Sequence, residues 1–377
     1  MTAWRTVSLG EALEFAYGKA LPKSARVANG HVPVYGSNGV TGWHNESLIK
    51  GPTVIVGRKG SAGAVQYVEE PCFPIDTTYY VKSRLGFEFD PRFLFYLLRR
   101  KDLPRLRTAT GVPGLTREDV YRESISFPPL EEQRRIVDLL SRAEGIVRLR
   151  REAQAKAQAI IPALFFDLFG DPATNPKGWP TAPLSEVAQV ISGIAKGRKL
   201  AADEGIELPY MRVANVKDGY LDLGEVKTIA IKRTEVDKLL IQPGDLLMTE
   251  GGDPDKLGRA ALWSGEIDHC VHQNHIFKVR SDRSRVLPSY LRALAGSTYG
   301  KAYFLSVAKK TTGIASINKT QLSAFPVVLP PMTEQEVFAD RAAAVDSITL
   351  QQSEALKKAE ASFQALLARA FGHQDFD

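Results

Sequence analysis

The residues of this chain best suited to chemistry are basic and hydroxyl side chains set between glycines. Gly57-Arg58-Lys59-Gly60 puts two cations on a permissive backbone at the end of an apolar run, and Lys196-Gly197-Arg198-Lys199 repeats the arrangement. Arg105-Leu106-Arg107-Thr108-Ala109-Thr110-Gly111 and Lys309-Lys310-Thr311-Thr312-Gly313 add hydroxyls to the cations. Lys and Arg neutralise phosphates, hydroxyls and backbone N–H groups donate to them, and glycine allows close approach. Arg, Asn and Gln also pair bidentately with the edges of nucleobases. The candidate contacts to a nucleic acid are therefore Lys19, Lys23, Ser37, Asn38, Arg58, Lys59, Arg105, Arg107, Thr108 and Thr110 in the first third of the chain. Further on they are Lys196, Arg198, Lys199, Arg212, Asn215, Gln273, Asn274, Lys309, Lys310, Thr311 and Thr312. A solvated surface turn competes with this reading at any single loop. The same kind of loop at corresponding places in two parts of the chain strengthens the joint case.

Signatures of catalysis are mostly missing. The chain has no GxxxxGK[ST] phosphate loop and no HExxH. Nor does it contain the Asn-Pro-Pro-Tyr or Asp-Pro-Pro-Tyr tetrapeptide with which amino-methyltransferases hold a flipped base. Glu225-Val226-Lys227 has the E-x-K spacing of some nucleases, with Asp222 upstream, but that spacing arises often by chance. His269, Cys270, His272 and His275 are all possible metal ligands. They enter a strand, where alternation sends His269 and His272 to opposite faces, so a structural or nucleic-acid-facing role is the better reading and no metal or cofactor is expected.

The elements that must position these loops are written twice. Pro128-Pro129-Leu130-Glu131-Glu132-Gln133 recurs as Pro330-Pro331-Met332-Thr333-Glu334-Gln335, an offset of 202. That offset holds without a gap from Thr110-Gly111 to Phe169-Gly170, whose counterparts are Thr312-Gly313 and Phe371-Gly372. Trp4, Leu9 and Glu11 recur as Trp179, Leu184 and Glu186 at an offset of 175. The mismatch of 27 between the offsets puts insertions inside the second globular stretch. A preserved frame around divergent interiors suggests one scaffold reading two different things.

After each proline pair the apolar residues fall at helical spacing. Ile136, Leu139, Ile146, Ile160 and Leu164 mark a seam in the first segment, and Phe338, Val345, Ile348, Leu356, Phe363 and Leu366 mark one in the second. Each helix is expected to run about 38 residues, roughly 55–60 Å, and Pro162 is expected to kink the first. Helices of that length overhang a domain of about 130 residues, so they are expected to pair with each other. The globular stretches read as mixed α/β, with strand-like runs at Thr53-Val54-Ile55-Val56 and His275-Ile276-Phe277-Lys278-Val279. The expected domains are 1–127, a helix over 128–170, a linker at 171–178, a second domain over 179–329 and a second helix over 330–373.

Composition agrees. Hydrophobic residues at 44% and charged residues at 24% are those of a globular protein. The net charge of +6 is unevenly spread: residues 1–130 carry +5 and residues 179–331 carry +4, while the helical stretches carry +1 and −4. A polyanion would meet the globular stretches first. No apolar run reaches the roughly 18–20 residues of a membrane span, and no apolar stretch follows Met1-Thr2-Ala3-Trp4-Arg5 as a signal peptide would require. Cys72 and Cys270 are far apart, so no disulfide framework is implied. A cytoplasmic protein is expected.

The sequence resembles the specificity subunits of type I restriction-modification systems, over essentially its whole length. The resemblance is carried by the duplicated Pro-Pro-x-x-Glu-Gln entry, the run Ala163-Leu164-Phe165-Phe166-Asp167-Leu168-Phe169-Gly170-Asp171-Pro172, and Lys177-Gly178-Trp179. Pro33-Val34-Tyr35-Gly36-Ser37-Asn38-Gly39 and Gly57-Arg58-Lys59-Gly60 add to it. It implies two target recognition domains, each reading half of a bipartite double-stranded DNA site, on two long antiparallel coiled-coil helices that act as a spacer. It also implies docking of two adenine-methylating modification subunits, with motor-nuclease restriction subunits joining them, and no catalytic residues in the subunit itself. The family supplies no invariant base-reading residues to carry over. The second helix departs from the first in starting with Met332-Thr333 and in being more acidic. The competing reading is a scaffold with two ligand-binding domains that does not touch DNA.

Overall fold

A computed structural model describes residues 4–108, 113–197, 204–253, 256–311 and 313–372. The chain divides into two compact units. One comprises Met1–Arg151 with Ala355–Asp377, the other Glu152–Glu354. Thr110, Arg198, Lys199 and Thr312 lie outside the described residues.

The first unit holds a four-stranded antiparallel sheet in the order Leu13–Tyr17, Thr78–Ser83, Thr53–Gly57, Val65–Val68. Thr53–Gly57 is buried along its whole length, as its unbroken apolar run requires. A three-stranded sheet has Val32–Gly36 at its centre, antiparallel to Gly39–His44 and parallel to Phe73–Pro74. Helix Pro91–Arg100 is capped by Asp90, whose carboxylate accepts from Arg92 N (2.9 Å) and Phe93 N (3.1 Å), and Pro91 occupies the first turn where no N–H is needed.

The second unit repeats this layout strand for strand. Its four-stranded sheet runs Ala188–Ser192, Ile276–Ser281, Leu246–Thr249, Ala260–Leu262. Its three-stranded sheet centres on Gly205–Met211, antiparallel to Lys227–Lys232 and parallel to Val271–His272. The sequence offsets reappear as hydrogen bonds. Leu9 N donates to Glu123 O at 2.7 Å, and Leu184 N donates to Phe325 O at 2.8 Å. Lys19 N donates to Pro74 O, and Ile194 N donates to His272 O. One addition is particular to the second unit among the described residues: a ribbon of Lys309–Thr311, Ile314–Ser316 and Gly251–Gly252.

Two 40-residue helices, Leu130–Phe169 and Met332–Phe371, follow the proline pairs. The first contains Pro162 without ending there, and Gly170, at φ +73°, closes it with a bond from its N–H to Phe166 O. The glutamine of each entry motif fixes the helix to its own unit. Gln133 is buried, accepts from Asp90 N and donates to Glu88 O and Pro128 O. Gln335 is buried, accepts from Leu287 N and donates to Arg285 O and Pro330 O. The helices pack antiparallel. Leu140 shares a core with Phe371, and further along the first helix Arg151 pairs with Glu360, further back on the second.

The seam differs from the expected one by a residue. Leu139, Ile146 and Ile160 are exposed, at 49%, 52% and 42%, and Ile348 is exposed on the second helix. The buried positions are Ile136, Leu140, Val147 and Ala157, while Ile161 and Leu164 are partly buried against the second unit's core. On the second helix Phe338 and Val345 are buried, Phe363 and Leu366 pack against the first unit's core, and Leu356 is half-buried.

Each core is closed by a helix end from the other repeat. Phe165 and Phe169 end the first helix yet pack with Tyr290 and Phe338 in the second unit. Phe371 ends the second helix yet packs on Phe93 in the first unit, ring centroids 5.3 Å apart.

Candidate nucleic-acid interface

The loop after strand Thr53–Gly57 is held almost entirely by backbone. Arg58 N and Lys59 N both donate to Thr77 O, Gly60 N donates to Pro113 O, and Leu115 N donates to Arg58 O. A Cβ on Gly57 would lie 2.2 Å from Ser61 O, so only glycine lets the chain turn back this tightly. Lys59 is exposed and Arg58 half-buried. The Arg58 guanidinium lies 5.2 Å from the ring centre of Tyr17, and that of Arg117 lies 4.5 Å from the same ring.

Other expected contacts divide into exposed groups and groups spent on the fold. Lys19, Lys23, Asn38, Arg107 and Thr108 are exposed. Ser37 is buried, and its hydroxyl donates to Thr77 O at 2.6 Å, so it shapes the turn and offers nothing outward. Arg105 pairs with Glu123.

In the second unit Lys196 is exposed, 5.6 Å from the ring centre of Tyr210. Lys309, Lys310 and Thr311 form an exposed edge strand. Gln273 and Asn274 are half-buried, their N–H groups bonded to Met211 O and Ile194 O. Asn215 is buried, accepting from Arg212 N and donating to Asp222 O and Glu225 O, a structural clamp where a base contact was expected. Arg212 is neutralised by Glu225 at 3.0 Å. Glu225 also holds Lys227 at 3.2 Å, and the two cations keep its carboxyl below the usual carboxylate range.

The His/Cys group does not converge on one point. Cys270 is buried, and burial pushes its thiol up to about 12. His275 Nδ1 lies 2.8 Å from Glu250 Oε2, outside the core. His272 is fully buried, with Nδ1 at 2.9 Å from Ile276 O and no partner on Nε2. Among the described residues no three His, Cys, Asp or Glu side chains are grouped to hold a metal ion.

Burial drives the His272 pKa down to about 4 from 6.5. The unfolded chain therefore takes up a proton below pH 6.5 that the native state refuses until about pH 4. Stability of the second unit is expected to fall by roughly 3 kcal/mol over that window. Denaturant unfolding from pH 7 to pH 4 measures it. The acid-side slope should flatten in His272→Asn, and an unchanged slope would assign the loss elsewhere.

The sequence singles out His275 within the His/Cys group but gives no sign of Tyr17, Arg117 or Glu250. Tyr17 continues the inward alternation of Leu13 and Phe15, which reads as core, but it stands at the strand end and is 48% exposed. Glu250 carries no local signal, because a single carboxylate in a sequence does not mark a nucleic-acid contact.

These observations describe two globular domains of one design, each bearing exposed polar or cationic loops at strand ends, braced by shared antiparallel helices. The model of the type I restriction modification DNA specificity domain matches residues 1–158 and again residues 176–360. The chain belongs to that family. It is 27% identical over 209 residues to the putative type I restriction enzyme MjaX specificity subunit of Methanocaldococcus jannaschii, covering 53% of this chain and 48% of that protein. It is 26% identical over 200 residues to the type I restriction enzyme StySPI specificity subunit of Salmonella potsdam, covering 52% and 42%. The matches thus span about half the length of these relatives or less. In fold, the chain is similar to the S subunit of a type I restriction-modification system from M. genitalium, with TM-score 0.65 at 15% identity over 100% of this chain and 97% of that one. A chain from a structure of type I restriction-modification complex assembly gives TM-score 0.54 at 19% identity, over 98% of each.

Proposed function

We propose that this chain is the DNA-reading specificity subunit of a type I restriction-modification complex. The domain of residues 1–127 reads one half of a bipartite duplex site and the domain of residues 179–329 the other. Helices 128–170 and 330–373 hold them at a set spacing, with 171–178 as linker. The subunit works in the cytoplasm and has no catalytic step of its own. It docks two adenine-methylating modification subunits, and motor-nuclease restriction subunits join the assembly. The observation that carries this reading is the twofold family match coinciding with a twofold structural repeat.

The loop chemistry supports it. Lys19, Lys23, Asn38, Arg58, Lys59, Arg107, Thr108, Lys196, Gln273, Asn274, Lys309, Lys310 and Thr311 are the candidate DNA contacts that remain at least partly exposed. The outer helix surfaces support docking. Leu139, Ile146, Leu149 and Ile160 on the first helix, and Val337, Ile348 and Leu350 on the second, are apolar and exposed. Among the described residues, no helix is long and apolar enough to cross a membrane.

Salt tests the DNA contacts. If six to ten phosphates are neutralised, affinity for a duplex should drop by about 10³–10⁵ between 50 and 200 mM salt. Binding insensitive to salt, or absent at low salt, would remove the reading. Domain exchange tests the division of labour. Replacing residues 1–127 by the first domain of another family member should change one half-site in a methylation map and leave the other. A change in both would defeat the modular assignment.

A further inference from the structure

The two units hang opposite chemistry on one backbone frame. In the first, Arg58 N donates to Thr77 O at 2.8 Å and Arg58 O accepts from Leu115 N at 2.9 Å. In the second, Glu250 N donates to His275 O at 3.0 Å and Glu250 O accepts from Ile317 N at 2.9 Å. Leu115 and Ile317 are related by the same offset of 202 as the rest of the repeat. Positions 58 and 250 are therefore equivalent. Each lies immediately beyond a central strand, clamped on both sides, one carrying a guanidinium and the other a carboxylate.

Their surroundings differ in the same sense. Arg58 and Arg117 both approach the half-exposed Tyr17 ring, and Lys59 is exposed beside them. Among the described residues neither guanidinium is within 4.0 Å of a carboxylate, and Arg58 Nε is buried without a partner. Two guanidinium groups that share one ring and have no carboxylate partner leave positive charge there for a ligand rich in acceptor atoms. In the second unit Glu250 keeps 30% of its side chain exposed and is steadied by His275 at 2.8 Å. A carboxylate at a DNA surface is repelled by phosphates, so its use there is to accept from a base. The forked guanidinium fits guanine O6 and N7, whereas a carboxylate fits the exocyclic amine of cytosine.

The geometry points to positions 58 and 250 as matched specificity-determining positions, Arg58 taking a guanine edge in one half-site and Glu250, oriented by His275, a cytosine amine in the other. This rests on the DNA-reading function proposed above.

The test uses the full chain and a random-sequence duplex DNA library, with sequencing of the retained fraction at fixed low salt. The unmodified chain should enrich a two-part consensus. Arg58→Lys keeps the charge but loses the fork, and should lose about 10- to 100-fold of discrimination at one guanine of one half. Glu250→Gln keeps size, and should lose a similar discrimination at one cytosine of the other half. Arg58→Gln, with retention measured at a second, higher salt concentration as well, should add a smaller salt dependence to the loss seen with Arg58→Lys. Weaker retention with an unchanged consensus would make position 58 a phosphate contact and overturn the assignment. Changes in both halves from one variant, or at bases other than guanine and cytosine, would overturn it too. An unmodified chain that enriches no consensus defeats the DNA-reading function itself. A clear consensus that the variants leave unmoved defeats only the pairing of Arg58 and Glu250 with bases.

Discussion

Phe371→Ala is expected to destabilise the first unit by about 3–5 kcal/mol, and Phe169→Ala the second by a similar amount. Each residue belongs by sequence to the opposite repeat. Phe371 is fully buried with Phe93, Ile136 and Leu140. Phe169 lies 4.9 Å from the Tyr290 ring, 5.4 Å from Phe338 and 5.9 Å from Trp179. Truncation removes a ring from a packed aromatic cluster and leaves a cavity that helix backbones cannot collapse to fill. Hydrogen exchange resolved along the chain reads the location as well as the size. Phe371→Ala should cost protection within residues 4–127, and Phe169→Ala within residues 179–329. Loss in the repeat that contains the substitution, with the other untouched, would show that the helix ends do not cross.

That crossing explains which parts of the fold were open to sequence reasoning. The duplication was legible because identical local rules act twice. The proline pair starts each helix, glycine follows its end, and the offset of 202 reappears as paired hydrogen bonds at Leu9 and Leu184 and at Leu115 and Ile317. The destination of a helix end was not legible. An apolar position announces that it is buried, not which core buries it. The seam slipped for a related reason. Leu139-Leu140, Ile146-Val147 and Ile160-Ile161 are adjacent apolar pairs, and periodicity alone does not choose between neighbours. The structure takes the second of each pair inward. The first of each is left outside, which is where a docking partner would use it.

The site was legible as a set of loops and less so as a set of side chains. Glycines and cations located the turn at residues 57–60 correctly because its backbone demands are local. Side-chain fate depends on distant partners. Nothing near Ser37 in sequence indicates that Thr77 O will take its hydroxyl, and Asn215 gives no local sign that it will close the loop at Asp222 and Glu225. Arg105 and Arg212 are cations by sequence but ion-paired in the fold, so an excess of positive charge overcounts the groups available to a phosphate.

The glutamine that ends each entry motif is where sequence and structure meet most directly, and it carries the second large expected effect. Gln335→Leu should cost the second unit about 3–5 kcal/mol, the sum of leaving Leu287 N, Arg285 O and Pro330 O without their partners at roughly 1–3 kcal/mol each, less the gain from burying an apolar side chain. Gln133→Leu should do the same to the first unit through Asp90 N, Glu88 O and Pro128 O. Gln335→Glu keeps the acceptor for Leu287 N but turns the other oxygen toward two carbonyls in a buried place, so it should be no milder than leucine and should improve as the carboxylate protonates at low pH. Urea unfolding followed by hydrogen exchange resolved along the chain reads the two units separately, through residues 4–151 for the first and 152–354 for the second. A change below about 0.5 kcal/mol in either leucine variant would mean that the proline pair alone sets the helix start. Because this glutamine ties the loop before a domain helix to the proline pair after the domain's last strand and to the first turn of the spacer helix, its loss should also loosen the angle at which a reader meets its spacer. Half-site spacing should then become less strictly selected in that unit's variant, while the half-site sequence itself stays as it was.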